Sequence, residues 1–133
     1  MTVSILTITH GTIGQELIST AEKMLGKLPL PCETLSVPNN CDPDKLTQKA
    51  QQLCAKLDNG DGVLVLTDIF GSTPSNICHK LKNDSEFEVR VLAGLNLPML
   101  IRALNYPKLD LDKLAKKALS GAQDGIIDCQ VNE

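Results

Sequence analysis

The sequence predicts an α/β fold: a doubly wound, mainly parallel sheet of strand order 2-1-3-4, with helices on both faces and a C-terminal edge strand. Three observations lead there. Short runs rich in β-branched and apolar residues recur at 3–8, 32–37, 63–67 and 88–93; the first and third are apolar on both faces, as strands covered by helices must be. Stretches with apolar residues at helical spacing lie between the runs. Each run then ends at a glycine or a capping residue that opens the next helix. Alternation of this kind gives right-handed crossovers, and the common small version of the fold has its topological switch point between strands one and three.

Each element has its own justification. The first strand, Val3 to Ile8, stops at His10-Gly11, and Ile13, Leu17, Ile18, Ala21, Met24 and Leu25 then place a helix from near Thr12. Gly26 ends that helix, and Pro29 and Pro31 keep the next turn non-helical. Cys32 to Val37 is the second strand; Asp42 caps and Pro43 opens a helix whose stripe is Leu46, Ala50, Leu53, Cys54 and Leu57. A turn cluster from Asp58 to Gly62 precedes the third strand, Val63 to Thr67. Thr73 before Pro74 reads as a cap and first turn for a helix through Ile77, Cys78 and Leu81. Glu88 to Ala93 is the fourth strand, Asn96 caps a helix to about Leu104, and Asp110 to Leu119 is a further helix closed by Ser120-Gly121. Gly125 to Cys129 then forms a last short strand. No repeat, low-complexity segment or linker interrupts the chain, so residues 1–133 are expected to form a single domain.

Composition narrows the function. A net charge of −3, with 13 Lys and Arg scattered along the chain, argues against a nucleic-acid partner, which needs a basic face. With only Phe70, Phe87 and Tyr106 as aromatics, the core is aliphatic and stacking platforms for bases or sugar rings are scarce. No apolar run approaches membrane-spanning length and nothing resembles a signal peptide, so a cytoplasmic location without membrane insertion is expected. Cys32, Cys41, Cys54, Cys78 and Cys129 contain no CxxC pair, which leaves no zinc-ligand spacing and no disulfide framework. Cys54 and Cys78 read as small core residues, and neither a metal site nor a cofactor is expected.

The switch point brings His10 and Asp68, the residues at the ends of the first and third strands, to the mouth of one crevice. An imidazole at a helix N-terminus can carry a phosphoryl group whose oxygens the free N–H groups cradle. A carboxylate on Nδ1–H would leave Nε2 as the nucleophile. One helix terminus contributes only about 0.3–1 kcal/mol toward holding such an anion, so several donors are needed. Candidates are the amides of Gly11 and Thr12 and the segment Gly71-Ser72-Thr73, which has amides and two hydroxyls. Blander readings stand beside these: a loop histidine that merely ends a strand, a strand-end carboxylate exposed to solvent, and Ser72 and Thr73 as helix caps. No GxGxxG, P-loop or G-x-S-x-G elbow is present, which removes support for nucleotide and serine-hydrolase chemistry. His79, beside Lys80 on a helix, reads as exposed and inert.

Thr9-His10-Gly11, the run Asp68-Ile69-Phe70-Gly71-Ser72-Thr73-Pro74-Ser75-Asn76, and Gly94-Leu95-Asn96-Leu97-Pro98-Met99-Leu100 together resemble the IIA component of the mannose class of the bacterial phosphotransferase system. The likeness extends from Met1 to about Cys129. It implies that His10 accepts a phosphoryl group from the phosphocarrier HPr and passes it to a IIB component. It also implies that Asp68 orients the histidine and that Ser72 and Thr73 line the phosphoryl site. The family's sheet has one antiparallel edge strand, and its homodimers can exchange that C-terminal strand, which would put Gly125–Cys129 at an interface. Ser72 stands where glycine is more usual. With no fused IIB segment in the sequence, the acceptor is expected to be a separate chain, or the role to be regulatory. Two other readings are a phosphoryl-donor subunit of a dihydroxyacetone kinase and a non-catalytic module that binds an anion in the same crevice.

Overall fold

The computed structural model describes residues 2–84 and 86–130. Its elements are β1 (Ser4–His10), α1 (Ile13–Leu25), β2 (Cys32–Val37), α2 (Pro43–Leu57), β3 (Val63–Thr67), α3 (Thr73–Asp84), β4 (Val89–Ala93), α4 (Leu97–Leu104) and α5 (Leu111–Asp124). Four parallel strands lie in the order β2-β1-β3-β4. In register, His10 faces Val37 and Ile8 faces Thr67, so β1 outreaches β3 at its carboxyl end.

Alternation along the strands divides the core. Ile5, Leu64 and Leu66 point to one face, where Ala21 of α1, Met99 and Leu100 of α4 and Leu114 and Ala118 of α5 cover them. Leu6, Ile8, Val63 and Val65 point to the other, against Ala50 and Cys54 of α2 and Ile77, Cys78 and Leu81 of α3. Each large aliphatic side chain fully buried in these layers contributes about 1.5–3 kcal/mol. Burial pushes the Cys54 and Cys78 thiols up to about 12, so both behave as inert core residues.

The end of the chain departs from expectation. α5 does not close at Ser120-Gly121 but runs on to Asp124. Gly121 is there for close packing: a Cβ on it would lie 2.4 Å from Cβ of Arg102, so the glycine lets α5 press against α4. Gly125 follows as the C-cap, its N–H donating to the Gln123 and Gly121 carbonyls. The strand expected at Gly125–Cys129 does not form in this single chain; helix takes up the residues before it, and no strand of the described chain pairs with it. Ile126 is 78% exposed there and Ile127 is exposed beside it.

Candidate functional site

His10 is the last residue of β1, and Asp68 follows the last residue of β3. Their side chains meet, with Nδ1 of His10 2.8 Å from Oδ2 of Asp68. The same oxygen accepts the His10 backbone N–H at 3.1 Å, and Oδ1 accepts the Ile69 N–H at 3.0 Å. Asp68 is therefore no solvent-facing strand-end carboxylate: its side chain is only 9% exposed, because His10 and the start of its own loop close over it. Burial pushes its carboxyl up, but the hydrogen bonds from the His10 ring and backbone and the attraction of the imidazole outweigh that, and the net displacement is downward. An ionised carboxylate can only accept, so the proton between the two groups belongs to Nδ1. Nε2 then carries the lone pair of the neutral ring, and the His10 side chain is 41% exposed.

The donors expected around this pair divide into two groups. The Gly11 amide is not free for an anion; it donates to the Val37 carbonyl at 3.0 Å, which continues the β1–β2 ladder past its last register pair. Among the described residues, the N–H groups of Thr12, Ile13 and Gln15, in the first turn of α1, have no protein acceptor. Thr12 holds the N-cap position without making a side-chain cap. The β3–α3 turn is richer. Gly71, at φ +86°, adopts a conformation that other residues rarely take, and no neighbour lies within 4 Å of where its Cβ would be. The hydroxyl of Ser72 donates to the Ile69 carbonyl at 2.7 Å and so braces the turn, while its own carbonyl accepts the Asn76 N–H. α3 begins at Thr73 itself, so Ser72 and not Thr73 occupies the half-in position before the helix, and the Thr73 side chain is exposed.

The third sequence motif is structural. Asn96 caps α4 by accepting the Met99 N–H at 2.9 Å and donates to the Ala122 carbonyl of α5, while the Leu95 N–H ties the end of β4 to Thr67. The contacts of Thr9, Phe70 and His79 were not read from the sequence. Thr9 is fully buried beneath α1 and accepts the Gly14 N–H at 2.9 Å; β-branched and ending a strand, it reads in sequence only as a strand residue. Phe70, in a core short of aromatics, is 74% exposed beside the site. His79 is exposed as expected, yet its ring meets Phe70 edge-on with centroids 5.8 Å apart. Ile13 and Ile69, also exposed, complete an apolar rim in the two turns that carry His10 and Asp68. Among the described residues no three His, Cys, Asp or Glu side chains gather as metal ligands, and no helix is long and apolar enough to cross a membrane.

The site is thus a partly exposed imidazole hydrogen-bonded to a half-buried carboxylate at the switch point of a parallel α/β sheet. Comparison with known proteins gives the particular family. The mannose-class EIIA family, described as the PTS system fructose IIA component, matches residues 4–119, and the chain belongs to it. The chain is similar to the PTS system mannose-specific EIIAB component of Escherichia coli (strain K12), at 34% identity over 128 residues, covering 95% of this chain and 39% of that protein. It thus spans about two fifths of the length of that relative. Among solved structures, the mannose/sorbose specific IIA subunit of the phosphotransferase system from Enterococcus faecalis superposes with a TM-score of 0.87 at 25% identity, covering 100% of this chain and 98% of that one. The phosphotransferase system component EIIA from Streptococcus agalactiae shares the fold with a TM-score of 0.86 at 24% identity, covering 96% of this chain and 98% of that one.

Proposed function

We propose that the chain is a phosphoryl relay in sugar uptake or its regulation, which accepts a phosphoryl group from HPr on His10 and passes it to a IIB component. The observation that carries the reading is the 2.8 Å contact between Nδ1 of His10 and a carboxylate held in its ionised form. In the forward step the Nε2 lone pair forms the bond to phosphorus. The bond from phosphorus to the donor breaks, and its electron pair leaves on the donor. The proton on Nδ1 stays in place, and the positive charge that develops on the ring lies against Asp68. In the second transfer a nucleophile of the acceptor attacks the same phosphorus, the Nε2–phosphorus bond breaks, and its electron pair returns to Nε2. Amides of Thr12 in the first turn and of Gly71, Ser72 and Thr73 in the second are the donors for the phosphoryl oxygens. The exposed rim of Ile13, Ile69 and Phe70 favours a protein as donor and acceptor over a small molecule, since apolar surface beside a polar centre suits docking.

Within this reading residues 1–133 act as one mannose-class IIA domain in the cytoplasm. Two copies pair as a homodimer, with the exposed Ile126-Ile127 segment buried between them. The direct test is incubation with HPr, its phosphorylating enzyme and labelled phosphoenolpyruvate. Wild type and His79→Ala should take up acid-labile phosphate, and His10→Ala should take up none. Labelling that survives in His10→Ala overturns the assignment.

A further inference from the structure

We infer that Thr9 is a positioning residue for the phosphoryl site, acting through the start of α1 without touching the phosphoryl group; the inference rests on the relay reading above. An α-helix usually has its N2 or N3 amide capped by the side chain of its own N-cap residue. Here the N-cap residue, Thr12, makes no such bond. The acceptor comes from the strand: Oγ1 of Thr9, fully buried, takes the N–H of Gly14, the second residue of α1, at 2.9 Å. That bond closes a short loop around His10, Gly11, Thr12 and Ile13, the segment that holds the nucleophile and the first-turn donors.

The surroundings fit a seat for the helix end. A Cβ on Gly14 would lie 2.3 Å from Oγ1 of Thr7 and 3.2 Å from Oγ1 of Thr34, and those two hydroxyls are bonded to each other at 2.8 Å. The helix therefore rests on a floor of three threonines that only a glycine can approach so closely. Thr9 takes the amide of Gly14, while the neighbouring amides of Thr12, Ile13 and Gln15 have no protein acceptor among the described residues. Thr9 thus decides where those dipoles stand relative to Nε2. They matter more once a phosphoryl group is present, so loss of the Thr9 hydroxyl should disfavour the phosphorylated form more than the free one.

The experiment mixes phosphorylated HPr with the unphosphorylated chain and reads the equilibrium partition of phosphate between them. Thr9→Val keeps the shape and removes the acceptor; it should shift the partition about tenfold toward HPr, within the range of a helix-terminus effect on an anion. Thr9→Ser restores the hydroxyl and should lie within about threefold of wild type. A Thr9→Val chain that folds and partitions within about twofold of wild type overturns the inference. Should Thr9→Val not fold, wild type is decisive by amide NMR. On phosphorylation the Thr12, Ile13 and Gln15 amides should shift while Gly14 stays protected from exchange; a Gly14 amide that loses protection and shifts most overturns the role. A wild-type chain that takes no phosphate from HPr defeats the relay reading itself, and this inference with it.

Discussion

The two strand-to-helix turns at the crevice are built on different plans. In the β1–α1 turn the groups around the ring are committed: the Gly11 amide goes to Val37, the Gly14 amide goes to buried Thr9, and the His10 ring and backbone both go to Asp68, while the Thr12, Ile13 and Gln15 amides stay open. In the β3–α3 turn two local side-chain bonds, Asp68 accepting from the Ile69 N–H and Ser72 donating to the Ile69 carbonyl, brace a loop whose Ile69 and Phe70 side chains stand in solvent. The first turn holds the His10 ring by its Nδ1 in one direction, which in the proposed relay fixes the nitrogen that reacts. The second presents donors and apolar surface to whatever approaches. Within the proposed relay, a fixed ring and an open docking surface thus fall on opposite sides of one crevice.

The largest expected effect comes from cutting the link that Asp68 makes between the turns. Asp68→Asn can present its NH₂ to Nδ1 and favour the tautomer with the proton on Nε2; single-turnover transfer from HPr should fall by roughly 10²–10³, as for a misoriented reacting group. The half-buried position of Asp68 and its bonds to His10 and Ile69 make the change felt in the fold as well, by about 1–3 kcal/mol in chemical denaturation. Transfer within about threefold of wild type would remove Asp68 as the orienting group. Next comes the packed turn: Gly14→Ala sets a methyl against Thr7 and should destabilise by about 1–3 kcal/mol in the same denaturation experiment. An unchanged midpoint would mean that α1 can lift off the sheet freely. In the open turn, Ser72→Ala removes the bond to Ile69 and should cost only about 0.5–1.5 kcal/mol, with transfer reduced less than in Asp68→Asn. A loss of transfer as large as that of Asp68→Asn would contradict the division between the turns.

The smallest effect is one of pH. The folded-state pKa of Asp68 lies below its unfolded value, so its ionised contacts add stability above the unfolded carboxylate pKa of about 3.9, and that stability is lost as pH falls through the lower folded value. The difference in melting temperature between wild type and Asp68→Asn should therefore be steady near neutrality and narrow in the acid range below about pH 4. A difference that persists or grows there would show that the carboxylate form is not what stabilises this pair.

What the sequence made legible follows local physics. Apolar runs betray buried strands, a helix stripe betrays its packed face, and the switch point of a doubly wound sheet puts His10 beside Asp68 before any contact is known. What stayed hidden depends on neighbours distant in the chain. The use of the Gly11 amide is set by Val37 on another strand, and the burial of Asp68 by His10. Gly121 reads as a terminator until Arg102 and Pro98 are seen packed on it. Thr9, β-branched and at a strand end, gives no sign that its hydroxyl will hold a helix five residues on. Ile126 and Ile127 have strand-like character, but a strand needs an edge to pair with, and among the described residues this segment pairs with neither edge strand, β2 or β4.

The central claim concerns one nitrogen. Long-range ¹H–¹⁵N correlation of the His10 ring, recorded before and after phosphorylation by HPr, reads both the tautomer and the phosphorylated atom. The Asp68 contact predicts that the neutral form of the ring carries its proton on Nδ1, and that phosphate sits on Nε2 with the Nδ1 proton retained. Phosphate on Nδ1, or a free ring protonated at Nε2, would contradict the account.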